Sequence, residues 1–315
     1  MVALELSSSL RVAYAGLLDA SLVGLLLSNS AQIVESRLRT SEEGLNQRLG
    51  QGLLLDLEQG DFDCAVVPFE DFAFYACSRK TTELRVLGCL LGGDTRVIAE
   101  VGLARSSTET RHLGAASPGC ALMRFDDLSC AYNLEFPCVS SFVPHDNMFD
   151  VVQLQKYDFL EVNSYWEALA GLRLGMIRQT FKMQDYGVPS SRSHLLVINA
   201  ASRSISQRSI NRLRSEILEA YEIVLTATDN VQQEVISKLR ATLFAHSPPN
   251  RHSLSASLRI LNPHIEEAHT SRLRFDWREL QSFYRWFHRK MGHSPELWGA
   301  VSPGALEHLI CDSWA

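Results

Sequence analysis

Short apolar runs, each ended by a turn residue and followed by a helical stretch, recur along the first two thirds of the chain. This alternation constrains the fold more than any other feature. The runs are Leu10–Ala15 (LRVAYA), Asp63–Pro68 (DCAVVP), Leu84–Leu91, Val97–Ala104, His112–Ala116, Asp158–Val162, Leu174–Met183 and His194–Asn199. They are strand-length, bounded by Gly, Pro, Asn or Asp, and apolar at consecutive positions, as in strands covered on both faces. Helical spacing fills the intervals, notably at Ser41–Gln59, Pro118–Leu134 and Asp146–Lys156. Strands that alternate with helices imply an α/β architecture with mainly parallel sheets.

The last third reads differently. Ile205–Thr226 carries Ile210, Leu213, Ile217, Leu218, Tyr221 and Val224 at helical spacing. Asn230–Ala245, Ser253–His269, Asp276–Met291 and Pro303–Trp314 continue as helices, so a helical C-terminal region is expected to pack over a sheet. The first two thirds also repeat themselves. LEQGDFDCAVVPFED at Leu57–Asp71 is echoed by LQKYDFLEVNSYW at Leu154–Trp166, which sets Asp63 against Asp158 at an offset of 95 residues. Arg11 and Arg111 head a similar pair of strands, each running into a small-residue turn. Two α/β lobes facing each other would produce such an echo.

Composition narrows the function classes. With 315 residues, 46% of them hydrophobic, the chain has ample apolar surface for two lobes and does not read as disordered. A net charge of −6 without a dense Lys/Arg run argues against simple nucleic-acid binding. The seven cysteines are odd in number and form no CxxC pair, which fits a reducing compartment and neither a disulfide framework nor a zinc site. Glu5 and three serines precede the first basic residue, Arg11, so the start does not read as a secretory leader. The apolar stretch Leu17–Leu27 is too short to cross a bilayer and is interrupted by Asp19 and Ser21. The expectation is a cytoplasmic protein without an integral membrane segment, metal or cofactor.

The segments RHLGAASPGCALMRFDDL, YDFLEVNSYWEAL, HLLVINAASRSISQRSINRLRSEILEAYEIVL and FDWRELQSFYRWFHRKMG follow one another in an order that resembles the type II periplasmic-binding-protein superfamily, in its nitrate, sulfonate and thiamine-pyrimidine branch. The likeness spans nearly the whole chain and lies in element order. It implies a two-lobed fold, with lobe one formed by residues 1–104 plus 188–315 and lobe two by 105–187. The hinge would lie at Ala104-Arg105 and Gly187-Val188-Pro189, and a small ligand would bind in the interlobe cleft.

Ligands of parallel α/β sheets sit beyond the carboxyl ends of strands, where helix N-termini offer free N–H groups. Five turns qualify: Tyr14-Ala15-Gly16, Pro68-Phe69-Glu70-Asp71, Gly92-Gly93-Asp94, Ser117-Pro118-Gly119 and Asn163-Ser164-Tyr165-Trp166. Ser117, Pro118 and Gly119 suit an anion, Tyr165 and Trp166 suit stacking, and Glu70, Asp71 and Asp94 suit an amine or cationic ring. Each also has an ordinary structural role, as helix cap, core aromatic or favourable N-terminal charge.

Motifs for specific chemistry are missing. There is no GxSxG elbow, no GxxxxGK[ST] loop and no GxGxxG after a strand, and His264, Glu266 and His269 do not match HExxH. Three residues keep an enzyme in view: Cys120 at a helix start, His145 in a loop, and Glu161, which interrupts an apolar strand and either faces solvent or the cleft. The sequence therefore points first to binding of a small organic, anionic ligand. The alternative is a cytoplasmic lyase or synthase on the same fold, similar to thiamine-pyrimidine synthases, desulfinases or chorismate dehydratase-like proteins. The synthases' adjacent cysteines and the desulfinases' cysteine at the first strand turn are both absent. A third reading is a sensor that contacts a partner through an exposed apolar face on Asp276–Met291.

Overall fold

The computed structural model describes residues 10–14, 31–35, 49–78, 83–102, 110–115, 118–132, 137–143, 156–165, 167–190, 194–202, 205–227, 234, 237, 251–274, 282–283, 285–287 and 289–290. The expected helices at Asp146–Lys156 and Pro303–Trp314 lie outside the described residues, as does nearly all of the one at Asn230–Ala245.

Strands β1 (Leu10–Tyr14), β2 (Ala31–Glu35) and β3 (Cys64–Val67) are mutually parallel. Helix α1 (Leu49–Gln59) leads into β3, and α2 (Phe69–Ser78) follows it. Strand β4 (Leu84–Cys89) closes one edge of this first sheet. Next come β5 (Arg96–Val101), β6 (Arg111–Ala115), α3 (Pro118–Ala131), β7 (Cys138–Phe142), β8 (Phe159–Asn163), α4 (Glu167–Arg173) and β9 (Ile177–Lys182), whose strands form the second sheet. A 3-10 turn at Met183–Tyr186 ends on Gly187 at φ 80°, and β10 (Leu195–Asn199) returns to the first sheet. Helices α5 (Gln207–Thr226) and α6 (Arg251–Thr270) complete the described elements.

The strand orders are β2-β1-β3-β10-β4 and β7-β6-β8-β5-β9. Both sheets are mixed rather than mainly parallel, because one antiparallel strand stands in the fourth place of each. In each case that strand arrives from the other sheet. β5 follows β4 of the first, and β10 follows β9 of the second. The chain therefore passes between sheets at residues 90–95, ahead of the expected point at Ala104-Arg105, because β5 pairs with β8 and β9. Two strands, β2 and β7, have no counterpart among the apolar runs. AQIVE and CVSSF are edge strands with too few consecutive apolar residues to stand out.

The sequence echo is real structure. Asp63, just before β3, accepts from the Arg11 backbone N–H at 2.7 Å and lies 3.4 Å from the Arg11 guanidinium. Asp158, just before β8, accepts from the His112 N–H at 2.8 Å and from the Arg111 guanidinium at 3.0 Å. The same aspartate clamp thus ties two neighbouring parallel strands together in each sheet, β1 to β3 and β6 to β8.

Side-chain alternation along β1 and β3 splits the core. Ala13, Ala65 and Val67 face a cluster with Leu53, Leu54, Leu57, Phe72, Ile98, Leu113 and Phe125 that runs continuously from the first sheet to the second. Val12, Tyr14, Cys64 and Val66 face the other way, toward Ile210, Leu213, Ile217 and Tyr221 of α5 and Leu258, Leu261 and Ile265 of α6. The expected helical cover over a sheet is this layer. Ser206 caps α5 by accepting from the Ser209 N–H, and the Ser209 hydroxyl answers the Ser206 N–H. The described aromatic residues of Asp276–Met291, namely Phe283, Trp286 and Phe287, are buried in the first cluster, so they offer no exposed face to a partner.

Candidate functional site

Where the two sheets meet, four charged residues are brought together from four elements. Glu70 sits in the first turn of α2, directly beyond the carboxyl end of β3. Arg124 lies on α3, Arg96 opens β5 just after the chain crosses between sheets, and Glu161 stands in the middle of β8. Arg124 is fully buried, with Nη2 against Glu70 Oε1 and Nη1 against Glu161 Oε1. Arg96 Nη1 reaches the same Glu70 oxygen at 3.3 Å. Glu70 and Glu161 are 1% and 5% exposed. One carboxylate of the first half thus holds two guanidiniums carried by elements of the second sheet.

Such a group survives burial only because each charge has an opposite partner; unpaired, each would carry a large desolvation cost. For Arg96, burial disfavours the charged form, but Glu161, Asp94 and Asp71 outweigh it and hold the guanidinium above its ordinary pKa. Glu70 Oε2 and Arg124 Nε are among the buried side-chain atoms here without a hydrogen-bond partner.

The crossing that delivers Arg96 is pinned on both sides. Asp94 accepts from the Arg96 N–H at 2.9 Å, and the Thr95 carbonyl accepts from the Ser164 N–H at 2.8 Å. The Gly92 N–H donates to the His264 carbonyl at 2.8 Å, and the Leu90 N–H donates to that of His194 at 2.8 Å. A Cβ at Gly92 would stand 2.4 Å from Glu267 Cβ, so glycine is what lets the crossing lie flat on α6.

The five expected turns therefore separate. Glu70 joins the ion-pair group, and Asp71 and Asp94 lie close enough to act on Arg96 electrostatically. Gly92 and Gly93 face α6. Pro68 is half-buried, and Phe69 stands edge-on to Phe283 at 5.3 Å within the core. Tyr14 and Tyr165 are buried in the apolar layer under α5 and α6. Asn163 is engaged with Glu167, its N–H donating at 3.0 Å, beside the Ser164–Thr95 contact. Pro118 and Gly119 form the first turn of α3. Ala15, Gly16, Ser117, Trp166 and His145 lie outside the described residues.

Of the three residues that kept an enzyme in view, Glu161 faces neither solvent nor an open cleft; it is a buried counter-ion of Arg124. Cys120 is 2% exposed in the continuous apolar cluster. Burial, reinforced by nearby aspartates, pushes the Cys64 thiol far up and that of Cys138 to about 11. Cys130 alone is exposed among the described cysteines. Maleimide at neutral pH is therefore expected to label Cys130 in the native protein, and Cys64, Cys89 and Cys120 only on unfolding. Peptide mapping checks this, and native labelling of Cys120 would return it to candidacy as a nucleophile.

No family model matches this sequence, and no curated protein does. Solved structures do match. The ligand-binding component of an ABC-type import system from Staphylococcus aureus, with zinc bound, aligns over 96% of this chain and 99% of its own at 13% identity and a TM-score of 0.63. A Candida albicans gene product described as having the generic periplasmic-binding-protein fold covers 96% of each chain at 13% identity and a TM-score of 0.59. The alkanesulfonate-binding protein of Xanthomonas axonopodis pv. citri, bound to MOPS, covers 90% of this chain and 93% of its own at 11% identity and a TM-score of 0.57.

The fold is that of the type II periplasmic binding proteins. At these identities the likeness concerns architecture, and the chemistry rests on this chain's own residues. Within the periplasmic-binding-protein fold, the two arginines are what the sequence reading missed. A signal for Arg124 was present: it occupies the inward stripe of α3 with Ala121, Phe125 and Leu128, where an apolar residue is the norm. Arg96 gave no comparable sign, since an arginine at a strand start reads as exposed.

Proposed function

We propose that this protein binds a small organic ligand bearing an anionic group between its two lobes, and that the lobes close over it. The observation that carries the reading is the buried Glu70–Arg124 contact, which joins an element following β3 of the first sheet to one following β6 of the second. Guanidinium groups at such a seam supply fixed donors for a carboxylate, sulfonate or phosphate. Two lobes joined by two crossings, at 90–95 and 183–194, give the hinge such closure needs. The lobes divide at these crossings, with β5 assigned to the second. The structural neighbours named as ligand-binding and alkanesulfonate-binding proteins support the same reading, and a role beside a membrane transporter follows from it by analogy. Among the described residues no helix is long and apolar enough to cross a membrane.

Thermal unfolding against a panel of small carboxylates, sulfonates and phosphates, paired with native mass spectrometry, tests the proposal. A melting temperature that climbs with concentration is expected for at least one class. A flat response to every compound, with no retained mass, would overturn it. Analysis of the same incubations for product addresses the enzyme alternative, for which no described grouping of residues speaks.

A further inference from the structure

Residues 282–283, 285–287 and 289–290 are helical. Phe283, Trp286, Phe287 and Lys290 recur there at spacings of three and four, so they share one helix face, while Ser282, Arg285 and Arg289 are exposed. From Phe283 to Lys290 that face is about 10 Å long at 1.5 Å per residue. Its two ends grip different halves of the molecule. The chain comes to it from the first half, where the Leu273 carbonyl accepts from the Cys89 N–H of β4 at 3.0 Å. Phe283 stays with that half, buried edge-on to Phe69 at the start of α2. At the other end the Trp286 indole donates to Asp127, and the Lys290 ammonium lies against both Asp126 and Asp127 on α3. Phe69 is the neighbour of Glu70, and Asp126 follows Arg124 by two residues, so the segment straddles the Glu70–Arg124 contact. It ties α2 to α3 a second time, as a third link between halves already joined at 90–95 and 183–194.

We propose that this segment is a clasp that holds the two lobes shut, and that the cleft opens only when its Trp286–Lys290 end lets go of Asp126 and Asp127. The inference rests on the lobe closure proposed above and adds what controls it. The two crossings can bend as hinges do, but a helix face pinned at both ends cannot lengthen. For α2 to part from α3, one end must therefore release. The Phe283 end is apolar and dry, packed among Phe69, Trp286 and Phe287. The far end is held by a hydrogen bond and ion pairs, at which Asp126 and in part Lys290 reach solvent, so water can take the place of the lost partners. Losing a hydrogen bond to a charged acceptor moves an equilibrium by roughly tenfold to a hundredfold; losing a partly solvated ion pair moves it by roughly twofold to fivefold. Opening is thus governed by contacts outside the ion-pair group itself.

Two of the chain's own thiols read this on the intact protein. Cys120, in the first turn of α3, is buried in the cluster that runs between the sheets, so it reports opening. Cys64 lies in β3 on the side covered by α5 and α6, so it reports unfolding. N-ethylmaleimide labelling at neutral pH, followed by peptide mapping, gives a rate for each. Every site is compared with itself in the parent, so differences in thiol reactivity cancel. In the double variant Trp286→Phe, Lys290→Ala, the Cys120 rate is expected to rise tenfold or more beyond any rise at Cys64. Lys290→Ala alone should give roughly twofold to fivefold, and it carries the test if the double variant does not fold. A Cys120 rate that only keeps pace with Cys64 in the variants would overturn the clasp, because opening would then require unfolding. Rapid Cys120 labelling in the parent would overturn it too, because the lobes would already be open with the segment in place. No ligand enters the experiment, so an unmoved Cys120 and a silent ligand panel are separate results, and the first leaves the binding reading standing.

Discussion

Replacing Arg124 by methionine is expected to destabilise the protein by about 3–5 kcal/mol, the cost of removing one partner from a buried ion pair. The side chain is fully buried and holds a carboxylate from each half, so its loss leaves Glu70 with Arg96 alone and takes from Glu161 its direct partner. Against a usual total of about 5–15 kcal/mol, such a loss is a large fraction of the whole. Urea unfolding followed by fluorescence and circular dichroism measures it through the midpoint at constant slope. The contrast variant is Glu161→Gln, which keeps an oxygen for Arg124 Nη1 and so should cost less than the arginine change. A methionine variant as stable as the parent would show that the seam does not depend on this pair. Because hydrophobic replacement of a whole buried ion group is often neutral, a fourfold change of Glu70, Arg96, Arg124 and Glu161 to apolar residues should recover much of the lost stability. That recovery separates a structural role, which it would restore, from ligand binding, which it would not.

The parts of this fold that the sequence displays are those set by local physics. β3 and β10 are buried at every described position, and CAVV and LLVIN announce that as unbroken apolar runs. α5 shows its buried face as Ile210, Leu213, Ile217, Tyr221 and Val224 because one face of a helix must repeat at that spacing. The duplicated aspartate clamp was visible as an echo because Asp63 and Asp158 do the same work at the same place in each sheet. The parts that did not show are set by partners distant in the chain. The antiparallel place of β5 depends on β8 and β9, more than fifty residues downstream, and nothing within RVIAEV encodes direction. The sequence leaves Glu161 open between solvent and the cleft because its compensation comes from Arg124, 37 residues away on another element. A buried charge and an exposed one are the same letter. Only the partner tells them apart.

Trp286→Ala is expected to cost about 3–5 kcal/mol, as large core truncations do, although the residue lies in a segment remote in sequence from both sheets. Its ring is 4% exposed and packs 5.3 Å from Phe283, which in turn stands edge-on to Phe69 at the start of α2. The indole N–H donates to Asp127 on α3 at 2.6 Å. The segment therefore touches the first half through Phe69 and the second through Asp127, and Trp286 is its anchor. Lys290 adds a second grip, 2.5 Å from both Asp126 and Asp127. Burial works against the Lys290 charge, but the two aspartates prevail and raise its pKa above the ordinary value. The sign follows: its contribution is present across the neutral range and is lost only as pH rises past the ordinary lysine value. That contribution is small, since this pair is partly solvated, so Lys290→Ala should move the urea midpoint far less than Trp286→Ala. Trp286→Phe should fall between them, keeping an aromatic ring against Phe283 but losing the indole hydrogen bond to Asp127, which then keeps only Lys290. If alanine at 286 cost less than about 1 kcal/mol, the aromatic segment would be resting on the seam without holding it. The continuity of the apolar cluster from one sheet to the other would then have to come from its other members, Ile98, Leu113 and Phe125 among them.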